Sequence, residues 1–145
     1  MKVSKFQSAK NEGKLNTPWD KAWKQTLIRN SPSSNRAPYI LDLGINYFVL
    51  KLEKMGLKTF WSCEGHPSGF YLVFQAPHRI ARKISIVSVG YSINVSIANI
   101  NRWTGTKEGG RIPNCWNLHF LPHGNSYECR NYLLRGLSIQ WEKEL

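Results

Sequence analysis

The chain has 145 residues, 41% of them hydrophobic and 12% aromatic, which is enough for one buried core and excludes an intrinsically disordered chain. Its 20 lysines and arginines outnumber nine acidic residues, so the net charge is +11 and a polyanionic partner is favoured. No apolar run approaches the ~20 residues of a membrane span, and the basic N-terminus lacks the apolar segment of a secretory signal. Three cysteines do not suit a disulfide scaffold. We therefore expect a cytoplasmic protein without membrane contact.

The N-terminal segment predicts a basic flexible arm over residues 1–16, followed by a single domain over residues 17–145. The arm has few apolar residues, so we expect it to lack a packed structure of its own. Its lysines are Lys2, Lys5, Lys10 and Lys14.

The first predicted helix begins after Thr17, whose side chain can accept a hydrogen bond from the Asp20 amide, while Pro18 suits the first helical position. We expect this helix to run to about Arg29. The composition of residues 30–38, NSPSSNRAP, predicts a loop.

A second helix is predicted by an apolar stripe that ends at Gly56, a residue that suits a left-handed C-terminal cap. The stripe consists of Leu41, Ile45, Phe48, Leu52 and Met55. The segment LKTFWSC then predicts a strand, EGHPSG a turn, and FYLVFQ an antiparallel partner strand.

The second half of the chain predicts two helices around another pair of strands. HRIARKISIV has the spacing of a third helix, and the alternation in YSINVSIA and CWNLHFL is typical of strands. Asn125 with Glu128 three residues later resembles a capping box that opens a C-terminal helix. The apolar residues of that helix recur at steps of four: Cys129, Leu133, Leu137, Trp141 and Leu145.

The predicted order is helix, helix, strand, strand, helix, strand, strand, helix. This order favours an α+β fold in which a four-stranded, mainly antiparallel sheet carries helices on one face. Alternation predicts that the covered sheet face carries Phe70, Leu72, Phe74, Ile93, Val95, Ile97, Trp116, Leu118 and Phe120. It predicts that the opposite, polar face carries Tyr71, Gln75, Asn94, Ser96, Asn117 and His119.

The positive charge is concentrated in two segments. Residues 1–36 hold eight basic and two acidic side chains, a net of +6, and residues 76–111 hold six basic and one acidic, a net of +5. We expect phosphates to be contacted by the arm lysines, by Arg79, Arg82 and Lys83 of the third helix, and by Arg102, Lys107 and Arg111. We expect Trp103 and Tyr71 to stack on bases, and Asn117 and His119 to offer hydrogen bonds.

The connection over residues 102–111, RWTGTKEGGR, combines cations, glycines and one tryptophan. Long connections in compact domains are often functional, and these components suit a nucleic-acid contact loop. The alternative is that Trp103 only anchors the connection to the core.

The hairpin WSCEGHPSGF has one structural interpretation and three functional ones. It could be a purely structural loop with Cys63 as a small buried residue. It could be a catalytic centre in which Cys63 is the nucleophile and His66 the base, oriented by Glu64 or by His119. In another functional interpretation the SCEGHP loop, His119 and the polar sheet face form a shallow concave platform that recognises a ligand.

A zinc site is the third interpretation. Cys63 and His66 have the spacing of a ligand pair, which could be completed by Cys115, His119 and His123. It requires the hairpin to lie beside the strand that carries His119.

Thr59, Ser62, Cys63 and Gly65 are similar to a Thr-x2-Ser-Cys-x-Gly strand end in the tRNA wybutosine-synthesis methyltransferase-type family. The resemblance covers about seven residues, and His66 stands where that family has an arginine. It implies an RNA-related methyl-transfer protein. The pattern of a helix followed by LKTFWSCEGHP and GFYLVF also resembles small proteins of phages and mobile elements, which often bind nucleic acid or a host defence complex.

Three functions follow as hypotheses. The first is a small nucleic-acid-binding protein that contacts RNA, DNA or a nucleoprotein complex. The second is a protein-binding inhibitor of a host defence complex, similar to an anti-CRISPR protein. The third is a small enzyme that uses Cys63, Glu64 and His66; no cofactor is expected, apart from the zinc considered above.

Overall fold

The computed structural model describes residues 17–29, 38–66, 69–92, 95–100, 113–120 and 127–145. The side chains of residues 61, 63–66, 69 and 127–130 are not part of this description. The predicted basic arm, the connection over 102–111, His123 and the predicted capping box at Asn125 therefore lie outside the described residues.

The longer described elements follow the predicted order of helices and strands, and the α+β class is confirmed. Two short strands that the sequence did not predict, β1 and β2, precede the second helix. The elements are α1 (Pro18–Trp23), β1 (Ile28–Arg29), β2 (Tyr39–Ile40), a 3₁₀ turn (Leu43–Ile45), α2 (Asn46–Lys54), β3 (Lys58–His66), β4 (Gly69–Gln75), α3 (His78–Tyr91), β5 (Val95–Asn99), β6 (Cys115–Phe120) and α4 (Tyr127–Glu144).

The start of α1 is confirmed in detail. The Thr17 hydroxyl accepts a hydrogen bond from the Asp20 amide at 3.2 Å, and the Thr17 amide donates to the Asp20 carboxylate at 3.0 Å. This reciprocal capping box satisfies amides that would otherwise lack a partner at the helix N-terminus.

The predicted end of α1 at Arg29 is wrong. The helix ends at Trp23, and residues 28–29 pair antiparallel with residues 39–40 as β1 and β2. Beside that ladder the Leu41 amide donates to the Leu27 carbonyl at 2.8 Å. Strands two residues long leave no periodic signal in a sequence, so these backbone hydrogen bonds could not be predicted from spacing.

The second helix begins later than the apolar stripe predicts. Leu41 is buried but precedes a 3₁₀ turn, and α2 itself starts at Asn46. Asn46 is buried and donates to the carbonyls of Ala22 and Gln25, which connects α2 to the end of α1. Gly56 has a φ of +84°, the left-handed conformation that its predicted capping position requires.

The four long strands form one antiparallel sheet in the order β3-β4-β6-β5. β3 continues to His66, which pairs with Gly69, so the hairpin turn is shorter than the predicted EGHPSG. The inner sheet face is confirmed for the described residues. Its side chains pack into the main core: Phe70, Leu72, Phe74, Val95, Ile97, Trp116, Leu118 and Phe120.

All four helices contribute to the core on this inner face. Trp141 of α4 is fully buried, meets Phe48 of α2 edge to face at 5.0 Å between ring centroids, and donates its indole N–H to Ser88 of α3 at 2.8 Å. α3 continues to Tyr91, four residues beyond the predicted segment. Among the described helices, none has the length and apolar character needed to cross a membrane.

Candidate nucleic-acid interface

Three carboxylates, one each in α1, α2 and α4, are engaged in ion pairs. Arg135 of α4 reaches the buried Asp20 of α1, which joins the two ends of the described chain. Such pairs neutralise a cation locally, so it has less charge to offer to an external anion. The pairs and their N–O distances are Arg135–Asp20 at 3.4 Å, Arg29–Glu53 at 2.5 Å and Lys51–Glu142 at 3.5 Å.

The chain around α3 has the opposite character. Residues 65–107 contain no aspartate or glutamate. In α3 the side chains of Arg79, Arg82 and Lys83 are exposed, and within the described part of the chain they make no ion pair. The sequence-predicted phosphate contacts of this helix are therefore on the surface and available to a ligand.

A groove of about 540 Å³ lies beside these cations. One wall is α3, with Arg79, Arg82 and Ile86, and the other is formed by Ile97 of β5 and Trp116 of β6. The described lining includes no carboxylate. The volume is within the range of ~300–1,000 Å³ that is typical of ligand sites.

Two aromatic rings meet at one end of the groove. His78, at the start of α3, lies with its ring centroid 4.9 Å from that of Trp116, at an interplanar angle of 85°. The Trp116 indole N–H donates to the Ala76 carbonyl at 2.8 Å, which fixes the orientation of the ring. Trp116 is almost buried, whereas His78 is exposed.

Strand alternation predicts Trp116 in the core, and His78 is not among the predicted site residues. A signal was available, because His78, Arg82, Ser85 and Ile86 recur three and four residues apart and such residues share one helix face. The helix face that carries these residues borders the apolar face with which α3 packs on the sheet. A groove between α3 and the sheet would open along this border. The spacing could not show which strand residue would stand opposite.

The outer sheet face carries the predicted polar platform. Tyr71, His119 and Ser96 are paired directly across β4, β6 and β5, and Asn117 lies one pair further along the same face. Among the described helices, none packs on this face. The platform and the α3 cations therefore lie on opposite sides of the sheet, and the structure does not bring these two predicted groups onto one surface.

The outer face is also less polar than the alternation predicts. Val73, which the sequence analysis left out, is 5% exposed and forms a second buried cluster with Cys115, against which Phe60, Tyr71 and Ile100 pack. Beside it the buried Asn117 side-chain oxygen has no hydrogen-bond partner among the described residues. Burial raises the pKa of the Cys115 thiol to about 11, so Cys115 is a protonated core residue at neutral pH.

The residues of the catalytic and zinc interpretations are only partly described. Cys63 pairs with Tyr71, and Tyr71 with His119, so β4 separates Cys63 from His119 by two strand spacings, about 10 Å between backbones. Among the described residues there is no group of three or more potential metal ligands. The side chains of Cys63, Glu64 and His66 lie outside the description, so both interpretations stay predictions.

Comparison with protein-family models gives no match, and comparisons with curated proteins and with solved structures give no significant one. The resemblance at Thr59, Ser62, Cys63 and Gly65 thus also stays a prediction. The function has to be argued from the chemistry of the described surface.

Proposed function

We propose that this protein binds nucleic acid through the basic side of α3. The observation that carries the proposal is that Arg79, Arg82 and Lys83 are exposed and make no ion pair in the described structure, beside a groove with two aromatic rings. Guanidinium groups match phosphate oxygens in geometry, and aromatic rings offer stacking surfaces for bases.

The position of the negative charge supports the same proposal. Residues 65–107, the segment of the sequence that contains α3, have five basic and no acidic residues. Repulsion by carboxylates would oppose the attraction of these cations, and here the local sequence contributes none. Each phosphate contact then releases condensed counterions, which supplies affinity without sequence specificity.

The outer-face residues Tyr71, Asn117 and His119 are a secondary contact in this proposal. They are reached from α3 around the edge strand β5, so a bound strand would touch them only if it continued past that edge. We expect substitutions there to have smaller effects than substitutions in α3.

The test is a titration of nuclease-treated protein against a fluorescently labelled oligonucleotide of about 15 nucleotides, followed by fluorescence anisotropy. Affinity should fall steeply between about 50 and about 200 mM salt. The variants Arg79→Gln and Arg82→Gln should each weaken binding by about tenfold, since a charge-assisted hydrogen bond contributes ~1.5–3 kcal/mol. An affinity that does not change with salt, or variants that bind like the wild type, would contradict the proposal.

A protein-binding inhibitor is the second candidate, and two features favour it. Ile86 and Val89 of α3 are 63% and 41% exposed, and Ile86 lines the groove together with Ile97 of the edge strand β5. The Ile100 amide bonds the Cys115 carbonyl, so by alternation the backbone groups of Ile97 face away from β6 and are available to another strand. A partner retained from nuclease-treated lysate by Arg79→Gln but lost with Ile86→Asp would support this candidate over the first.

A further inference from the structure

The groove beside α3 has two chemically different parts. Arg79 and Arg82 line it on α3, and Ile86 on the same helix and Ile97 of β5 are apolar. A purely anionic ligand would leave the apolar side chains of the groove in contact with water. A purely apolar ligand would leave the arginines without an ionic partner. The walls therefore suit a ligand that joins an anionic group to a flat apolar one.

The aromatic end of the groove indicates which kind of planar group the ligand carries. The single polar atom of the Trp116 side chain already donates to the Ala76 carbonyl, so its ring contributes apolar surface. Trp116 is 9% exposed and the exposed ring is that of His78, so a planar group entering the groove stacks on His78. A nucleobase linked to phosphates has both properties.

We infer that the groove holds an unstacked base of a single-stranded nucleic acid, stacked on His78, with the adjoining phosphates at Arg79 and Arg82. This inference rests on the proposed function and adds to it that the protein reads single strands through a base. Binding by phosphate contacts alone would not need the groove.

The energies favour a single strand over a duplex. Both faces of a base are covered in a duplex, and extruding one costs a few kcal/mol. Stacking on one aromatic ring returns ~1–3 kcal/mol, so the groove would recover at best the cost of extrusion. A single strand has no such cost, and the stacking energy then appears as affinity.

The test compares two labelled strands that carry the same phosphates. One is an oligothymidine of about 15 nucleotides, and the other is the same strand with its central bases replaced by abasic sites. The wild type should bind the intact strand about tenfold more tightly, the equivalent of ~1.4 kcal/mol of stacking. His78→Ala should bind the two strands equally, and His78→Phe, which keeps a ring, should retain the preference.

The outcomes separate the inference from the proposed function. If the wild type binds both strands equally, with steep salt dependence, then the protein binds nucleic acid but does not read a base, and the inference is wrong. A matched duplex that binds as tightly as the single strand would also overturn it, as would poly-glutamate that competes as well as the oligothymidine. If neither strand binds, the proposed function itself fails.

Discussion

Three cations outside α3 are paired with carboxylates, whereas the cations of α3 make no ion pair in the described structure. In α1, α2 and α4, Arg135 and Lys51 pair with carboxylates of another helix, and Arg29 of β1 pairs with Glu53 of α2. In α3 the two arginines and the lysine are exposed beside a groove. The 43-residue segment of the sequence that contains α3, residues 65–107, has no aspartate or glutamate. Net charge alone does not distinguish these regions, whereas the position of the acidic residues does.

The comparison separates stability from binding. A cation paired across two helices positions those helices, so its loss should affect unfolding. A cation without a partner contributes little to the fold and carries a residual repulsion from its neighbours, which an anionic ligand removes. Substitutions in the two regions should therefore affect different measurements.

The largest expected effect comes from a substitution in the core that α2, α3 and α4 share. Trp141→Ala removes a fully buried ring that packs on Phe48 of α2 and donates to Ser88 of α3. We expect a loss of about 3–5 kcal/mol in the free energy of unfolding, from the cavity and from the unsatisfied serine. Urea unfolding followed by circular dichroism measures it.

Trp141→Phe serves as the control for the cavity term. It keeps an aromatic ring but loses the hydrogen bond to Ser88, so it should lie between the wild type and Trp141→Ala. Two separate unfolding transitions in the wild type would show that α3 does not share one core with α2 and α4, contrary to this account.

A smaller effect is expected in the paired region. Asp20→Ala removes the carboxylate that accepts hydrogen bonds from the Thr17 amide and hydroxyl and that pairs with Arg135, whereas the backbone amide at position 20 can still donate to the Thr17 hydroxyl. We expect a loss of about 2 kcal/mol in the free energy of unfolding, because a hydrogen bond to a charged group contributes ~1.5–3 kcal/mol. Oligonucleotide affinity should stay within about twofold of the wild type, and a tenfold change would mean that the two regions are not independent.

The smallest effect is a dependence of stability on pH. The hydroxyl of Tyr47 donates a hydrogen bond to Glu142 at 2.5 Å, and this bond, with Lys51 nearby, lowers the pKa of the Glu142 carboxyl from its ordinary 4.5. Because the folded-state pKa is the lower one, the contribution is present above pH 4.5 and is lost as the pH falls through the folded-state value.

Tyr47→Phe should therefore lower stability at pH 7 and differ less from the wild type at pH 3. The size should be no more than about 1 kcal/mol, since the Glu142 side chain is 43% exposed. Urea midpoints at the two pH values provide the measurement. A deficit that is equal at both would show that Tyr47 acts through packing alone.

The order of the longer helices and strands, and the inner face of the sheet, could be predicted from sequence because they depend on local periodicity. Phe70, Leu72 and Phe74 alternate, and alternation alone assigns them to one face. The strand order could not be predicted, because pairing β4 with β6 depends on contacts between segments some 40 residues apart. The groove depends on the same long-range pairing, which places Trp116 against His78.

The exposure of the α3 cations could be predicted, and so could their separation from the platform. Alternation assigns the helices to the apolar sheet face and His119 to the opposite face, which already places Arg79 and Arg82 on the other side of the sheet. The prediction that both groups contact one nucleic acid combined the clustered charge with the polar sheet face. In the structure Tyr71 and His119 lie on the side away from α3.

The most direct measurement compares two triple variants of equal net charge. One is Arg79→Gln, Arg82→Gln and Lys83→Gln in α3, and the other replaces the exposed lysines Lys21, Lys24 and Lys143 in α1, its C-terminal cap and α4 with glutamine. We predict that the α3 variant loses at least about tenfold in affinity for a single strand. The slope of its log affinity against log salt concentration should fall by about 2 in magnitude. The affinity of the other variant should stay within about threefold of the wild type. Equal losses in the two variants would contradict this prediction, because binding would then depend on total charge and not on α3.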